Sequence, residues 1–346
     1  MSDNFDIKQY LVKKDTKLSE VIKMLQEKPI KIIIVVSDKN ELLGSITDGD
    51  IRRGLLNGFN LESSCFPIMN DKPSYALKDD QAMIDNIISE KEVTPIIVNA
   101  KGEVTSLYQA GITRSKIIKS NKVIIMAGGK GERLMPLTEN TPKPLLMIKE
   151  KPIIQYIIEA FLKNGFENII LSVGYKSEKL IDYFSNHKIL SKYISYISET
   201  YPLDTAGALS LISKDELSEP VIVKNGDIIA NVNYDELLNF HNHHDKPITI
   251  CASEYKVSIP FGSITTENGV ISKIVEKPTV KHHVNAGIYV IDPEIIKVMK
   301  ENVPISMVEL LDKYVNSRNV IAYPLYESWI DIGSPEDFKK AQIDKK

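Results

Sequence analysis

Val123-Ile124-Ile125-Met126-Ala127-Gly128-Gly129-Lys130-Gly131-Glu132-Arg133-Leu134, with Pro136-Leu137-Thr138 and Pro142-Lys143-Pro144 close behind it, is the stretch on which the reading of this chain turns. Val123 to Met126 is an apolar run of strand length, and three glycines, Gly128, Gly129 and Gly131, follow it. Glycines placed there let bare backbone N–H groups approach an anion, because no Cβ stands in the way. Arg133 and Lys143 add two cations beside the turn. A dinucleotide-binding loop would need a glycine three positions after Gly131, where Leu134 stands, and a P-loop would follow Gly-Lys with Ser or Thr. Neither is present, so the segment reads as a phosphate site of another kind.

Composition sets bounds that agree with this. A length of 346 residues suggests two domains, and 43% hydrophobic with 26% charged residues is ordinary for soluble globular chains. The formal net charge of -3 gives no electrostatic footprint for nucleic acid. Cys65 and Cys251 lie far apart and form no Cys-x-x-Cys pair, which fits a reducing compartment. The longest apolar run, Ile32 to Val36, is far too short to span a bilayer. These features together predict a cytoplasmic protein with neither nucleic acid nor membrane as partner.

Residues before about 120 repeat themselves. Val21-Ile22, Leu25, Pro29-Ile30 and Ile32 to Val36 lead to the turn Asp38-Lys39-Asn40-Glu41; Met83-Ile84, Ile87-Ile88 and Pro95 to Val98 lead to Lys101-Gly102-Glu103. Each unit reads helix, buried strand, turn, strand, helix, and one alone could not bury both faces of its short sheet, so the two should pack as a pair. The pair resembles the tandem cystathionine-β-synthase (CBS) module, most closely at Leu43-Gly44-Ser45-Ile46-Thr47-Asp48-Gly49-Asp50-Ile51-Arg52-Arg53. That resemblance implies an adenine-nucleotide site in which Gly44, Thr47 and Asp50 meet the ligand, the last two at the ribose hydroxyls, and a homo-oligomer formed through the CBS pair. Overlaying the two turns sets Thr105, Tyr108 and Gly111 against Gly44, Thr47 and Asp50, so the second repeat offers a ribose no carboxylate. Arg52 and Arg53 could meet phosphates, although adjacent arginines on a helix usually form a solvated face.

From residue 121 the pattern changes to strands and helices in alternation. Helices are expected over Ile153 to Lys163 and Asn233 to His244, and strands over Asn168 to Val173, Val221 to Val223, Ile248 to Ala252 and Ile288 to Ile291. This predicts an α/β fold: a mainly parallel, Rossmann-like sheet over 121–346, preceded by the tandem CBS (α+β) module over 1–118. Ligands of such sheets bind at the carboxyl ends of strands, where Gly128 and Asp227 both fall.

The loop, in this order with the segments after it, closely resembles the signature of the sugar-1-phosphate nucleotidylyltransferases. The resemblance covers nearly all of 121–340. It implies transfer of a nucleoside monophosphate from a nucleoside triphosphate to a sugar 1-phosphate, with pyrophosphate leaving. An anionic phosphate oxygen is already a nucleophile, so the site needs positive charge and alignment more than a strong base. The resemblance assigns Arg133 and Lys143 to the triphosphate and the transition state. It gives Mg²⁺ as the cofactor, held by Asp227 of Asn225-Gly226-Asp227 and by Asp331 of Trp329-Ile330-Asp331-Ile332-Gly333. Ala127, Gly128, Gly129 and Gly131 are implied on the nucleotide side. So are Thr205 and Gly207 of Leu203-Asp204-Thr205-Ala206-Gly207, in which Asp204 replaces the usual glycine and could cap the next helix. Gly262, Glu276, Lys277, Asn285 and Gly287 are implied on the sugar-phosphate side. Glu132 departs from the family, which more often has a small hydroxyl residue there. CBS-linked members resembling this chain are guanylyltransferases acting on mannose or glucosamine 1-phosphates, which favours GTP and a role in surface-glycan synthesis. The alternative is a catalytically inactive sensor of nucleotide sugar and adenylate on the same fold. His241-Asn242-His243-His244-Asp245 invites a zinc reading, but it ends a predicted helix, where cationic side chains tend to be solvated. His282-His283 is expected on an exposed hairpin or lining the sugar pocket.

Overall fold

A computed structural model of the chain describes residues 6–91, 94–108 and 118–344. The chain falls into two compact units, Met1–Ser115 and Lys116–Lys346.

The first unit opens with β1 (Leu11–Lys13), α1 (Leu18–Glu27), β2 (Ile33–Val36), β3 (Leu42–Ile46) and α2 (Asp48–Leu56). β4 (Tyr75–Leu77), α3 (Gln81–Lys91), β5 (Ile96–Val98) and β6 (Val104–Leu107) repeat the sequence of elements. In each repeat the first two strands pair in parallel and the last two antiparallel. A parallel pair needs a crossover, which α1 and α3 supply. Ile34 and Val36 of the first sheet share one apolar cluster with Ile96, Val98, Val104 and Leu107 of the second, so each sheet covers the face that the other leaves bare. The turns also meet: the Leu42 N–H donates to the Gly102 carbonyl at 3.0 Å and the Val104 N–H to the Asn40 carbonyl at 2.9 Å.

The ladders correct the alignment of the repeats by one residue. Val35 lies opposite Gly44 in one repeat and Ile97 opposite Ser106 in the other. Ser106, rather than Thr105, is thus the counterpart of Gly44. The reason is that both turns close with the same backbone bond, Ser37 N–H to Glu41 and Asn99 N–H to Glu103, and this equivalence sets the offset. Gly111 lies outside the described residues.

The second unit starts with β7 (Val123–Met126), the short pair β8 (Met147–Ile148) and β9 (Lys151–Pro152), α4 (Ile153–Lys163), β10 (Ile169–Val173) and α5 (Ser177–Ser185). It continues through β11 (Ile194–Ser198), α6 (Asp204–Gly207), β12 (Val221–Asn225), β13 (Ile228–Ala230), α7 (Tyr234–His243) and β14 (Ile248–Ser258). Next come β15 (Ser263–Glu267), β16 (Val270–Val275), β17 (Thr279–Ile291), α8 (Pro293–Lys297), α9 (Met307–Val315), β18 (Val320–Leu325), β19 (Trp329–Asp331) and α10 (Pro335–Asp344).

Among the described residues these build a seven-stranded sheet in the order β11-β10-β7-β12-β17-β14-β18, in which β17 runs against the other six strands. Alternate residues of its central strands enter different cores: Val123, Ile125 and Ile222 join one apolar cluster, and Ile124, Val221 and Val223 the other. β7 and β12 are parallel neighbours with Met126 opposite Asn225, which puts the glycine loop and the Asp227 turn side by side at the carboxyl ends.

β14 and β17 run well beyond the expected Ile248 to Ala252 and Ile288 to Ile291. Their outer halves pair as an exposed ribbon from Glu254 opposite His283 to Ser258 opposite Thr279. Those residues form strand because each satisfies the other's backbone groups, and exposed positions carry no apolar pattern to announce it. Among the described residues no helix is long and apolar enough to cross a membrane.

Candidate active site

A cavity of about 1080 Å³ opens at the carboxyl ends of β7, β10 and β12. The glycine loop from Ala127 to Leu134 forms one wall, Glu199 to Thr205 another, and Lys143, Asn225-Gly226-Asp227 and Gly333 the floor. Gly131 stands at φ 67°, a left-handed conformation that favours glycine, and a Cβ there would come within 3.0 Å of Lys143 and Thr138. The Thr138 hydroxyl donates to the Gly131 carbonyl at 2.9 Å, fixing the turn. At Gly128 a Cβ would reach 3.0 Å from a Glu199 carboxylate oxygen, whereas Gly129 faces open space. Gly131 therefore serves the turn, Gly128 allows the close approach of Glu199 and Gly174, and Gly129 is left bare.

Lys143, 8% exposed, donates from Nζ to Asp227 Oδ2 at 2.5 Å. Asp331 is brought beside the Asp227 turn because β19 pairs antiparallel with β13, Ile228 opposite Asp331, and the Ile332 N–H donates to the Asp227 carbonyl at 3.1 Å. Burial raises the Asp331 carboxyl above its ordinary pKa, Asp227 adds repulsion, and Lys143 and Arg133 oppose the shift. A Cβ on Gly333 would meet the Arg133 guanidinium at 3.4 Å and Asp331 Oδ1 at 3.5 Å, so the absence of a side chain there gives Arg133 its place over Asp331. Asp331 Oδ1 is buried and has no hydrogen-bond partner among the described residues. Two like-charged carboxylates, one with an orphaned oxygen, fit a hard divalent cation. Among the described residues no group of three or more His, Cys, Asp or Glu side chains could hold a metal, so substrate oxygens and water would complete the shell, as suits Mg²⁺.

The structure brings Ala127, Gly128, Gly129, Gly131, Arg133, Lys143, Asp227 and Thr205 to the cavity lining, with Asp331 just behind it beside Gly333. Gly207 serves packing: a Cβ there would come within 2.8 Å of the Val303 carbonyl. The Thr205 hydroxyl accepts the Met307 N–H at 2.7 Å and is tied to the same segment. Asp204, in the glycine-favouring conformation at φ 62°, accepts the N–H of Thr205 at 2.7 Å instead of capping deeper in the helix. Gly262, Glu276 and Lys277 lie exposed in the loops that flank β15 and β16, away from the cavity lining and off the β14–β17 ribbon, with Glu276 3.0 Å from a Cβ built on Gly262. Asn285 and Gly287 sit where β17 rejoins the sheet; Asn285 accepts the Gly287 N–H at 2.9 Å, and a Cβ on Gly287 would meet the Asn225 amide at 2.7 Å. His282 and His283 are exposed on the same ribbon. Glu132 is exposed at the cavity mouth, 3.9 Å from Lys130.

Two polar residues of this region escaped the sequence reading. Glu199 accepts the Ser172 hydroxyl at 2.9 Å and the Leu203 N–H at 2.8 Å, so its carboxylate is held rigidly against Gly128. It stands in no recognisable motif. Lys224 is fully buried on β12, and the signal for it was a lysine interrupting an apolar central strand just before Asn-Gly-Asp.

Asn242, His243 and Asp245 are exposed at the helix end, as expected, but His241 is not. His241 is 3% exposed and bonds Thr249 at 2.8 Å and Asp292 at 3.1 Å, while His243 and His244 bond carbonyls of their own helix. In the first unit, Gly44 stands against the Asn70 carbonyl, 2.6 Å from where a Cβ would be. Asp50 Oδ2 accepts both the N–H and the hydroxyl of Thr47, at 2.8 and 2.7 Å, and Oδ1 accepts Arg53 at 2.5 Å. Arg52 is buried and paired with Asp48 at 2.6 Å, so the two arginines do not share a solvated face.

A family model described as nucleotidyl transferase matches residues 122–346, and one described as CBS domain matches residues 6–57. Mannose-1-phosphate guanyltransferase 2 of Candida glabrata is 35% identical over 225 residues, 63% of this chain and 62% of the relative. Mannose-1-phosphate guanyltransferase beta-A of Xenopus laevis is 35% identical over 224 residues, with the same shares. The chain thus spans less than two thirds of the length of the curated relatives it matches. HddC from Yersinia pseudotuberculosis aligns with a TM-score of 0.51 at 30% identity, covering 64% of this chain and 98% of that one, and its structure complexed with GMP-PN aligns equally well. The match across the whole second unit, on a fold and a cavity of this kind, places the chain in the nucleotidyl transferase family.

Proposed function

We propose that this chain transfers GMP from GTP to a sugar 1-phosphate, releasing pyrophosphate and a nucleotide-activated sugar. The observation that carries the reading is one cavity in which a bare glycine loop meets Arg133 and the Lys143–Asp227 pair, with Asp331 directly behind the lining at Gly333. A sugar-phosphate oxygen attacks the α-phosphorus and the bond to the β-phosphate oxygen breaks, so negative charge gathers where Arg133 and Lys143 stand. Asp227 and Asp331 would hold Mg²⁺, which when bound neutralises charge on the triphosphate. Asn285 and Gly287 on β17, beside Asn225, and Gly262, Glu276 and Lys277 in the exposed loops flanking β15 and β16, supply the sugar-phosphate end.

Glu199 supports guanine as the base. A fixed carboxylate offers two acceptor oxygens, and guanine alone among the common bases presents two adjacent donors, N1–H and the N2 amino group. The guanyltransferase names of the relatives and the GMP-PN complex of the structural neighbour agree. Pyrophosphate release measured for four nucleoside triphosphates against several hexose 1-phosphates tests the proposal. GTP should exceed the others at least tenfold, and Glu199→Gln should narrow that preference. No turnover with any pair would favour the sensor reading, and equal use of all four triphosphates would remove Glu199 from base selection.

A further inference from the structure

Lys224 sits where the core would be better served by an apolar side chain. It is 1% exposed on the central strand, in register with Ile125 of β7 and Ile288 of β17, and both isoleucines belong to one apolar cluster. Placing an amine there carries a desolvation cost that methionine would not. Its Nζ donates to the Ile228 carbonyl at 2.8 Å. That bond spans the turn bearing Asp227 and lands on the residue that faces Asp331 in the β13–β19 ladder. Burial pushes the Lys224 ammonium down to about 7, against the pull of Asp227, Cys251 and Asp331.

We propose that Lys224 is a positioning residue for nucleotidyl transfer: its bond to Ile228 locks the Asp227 turn to the Asp331 ladder, so that both carboxylates address one divalent cation. The inference rests on reading those aspartates as the metal pair. Its chemistry differs from that of Lys143, which contacts Asp227 directly within the cavity.

The test is Mn²⁺ binding to the full chain with a non-hydrolysable GTP analogue, followed by water-proton relaxation and corrected by the same titration without protein. Thermal melts of wild type, Lys224→Met, Lys224→Gln and Asp227→Asn run alongside. Lys224→Met should melt at or above the wild-type temperature, because an apolar stem replaces a buried amine, while Mn²⁺ affinity falls about tenfold or more, as when a group orienting metal ligands is lost. Lys224→Gln keeps an N–H donor on a shorter stem and should lose less. Asp227→Asn should bind Mn²⁺ no better than the analogue does alone. Wild-type Mn²⁺ affinity in Asp227→Asn would overturn the metal reading itself. If Asp227→Asn loses Mn²⁺ while the Lys224 variants keep or tighten it, or lose it only in step with a lowered melting temperature, Lys224 is a core residue and the inference fails.

Discussion

Asp50 in the first unit and Asp331 in the second both sit in segments that resemble ligand motifs, yet the fold treats their carboxylates in opposite ways. Both oxygens of Asp50 are engaged within its own helix turn, by Thr47 and Arg53. Asp331 has an oxygen that is buried and unpartnered, beside a second carboxylate and two cations. A buried polar atom without a partner costs free energy, so its persistence close behind a cavity lining points to a ligand that completes it. A carboxylate closing a helix N-terminus has a complete structural reason to be there. A motif, therefore, locates a carboxylate, and the partners around it decide whether it is available.

The largest effect that tests this contrast is on turnover. Asp227→Asn and Asp331→Asn should each lower pyrophosphate release on the order of 10³-fold. Asp331→Asn should melt at or above the wild-type temperature, since a buried, repelled charge is removed, whereas Asp227→Asn also loses its ion pair with Lys143 and should melt lower. A fall in stability matching the fall in rate would make Asp331 structural like Asp50. Lys143→Ala should cost about 10²-fold in rate, as for a transition-state charge stabiliser, measured under saturating substrates.

Lys224 gives a pH signature of intermediate size. Its folded-state pKa, about 7, lies below that of the unfolded chain. Between pH 7 and about 10.5 the unfolded chain therefore binds the extra proton, and stability from this group rises with pH; the penalty is full below pH 7 and gone above about 10.5. Denaturant unfolding of wild type and Lys224→Met should converge as pH rises through that window, by up to about 1 kcal/mol per pH unit. Parallel curves would show that the amine is not buried in the folded protein. The smallest effect belongs to Asp50→Ala, expected to cost about 1 kcal/mol through the loss of a helix cap while turnover stays at the wild-type level. Calorimetry with millimolar AMP on the full chain sharpens the contrast: binding to wild type but not to Asp50→Ala would mean that the carboxylate exchanges its helix cap for a ribose.

Much of the second unit was legible because buried segments advertise themselves. The helix Ile153–Lys163 and the strand Val221–Asn225 declare their periods, and the glycines at 128 and 131 are forced by close approach or by φ. The ribbon beyond Ser253 was not legible, since its strands answer to each other rather than to a core. Lys224 was lost because the apolar run was ended at Val223, and a lysine is ordinarily a boundary. His241 was assigned to solvent from its neighbours, whereas Thr249 of β14 and Asp292, just after β17, give it partners from distant parts of the chain.

The sequence alone determined what depends on local order: a strand followed by a glycine turn, two repeated strand pairs, a mainly parallel α/β unit, and the family to which these belong. Only the tertiary structure decided which polar groups are spent and which remain. Hydrogen-bond partners come from residues distant in the chain, as when Leu203 and Ser172 fix Glu199 and the β13–β19 ladder carries Asp331 to Asp227. Whether a carboxylate is satisfied is a property of that three-dimensional surrounding, because desolvation and pairing act through space and not along the chain.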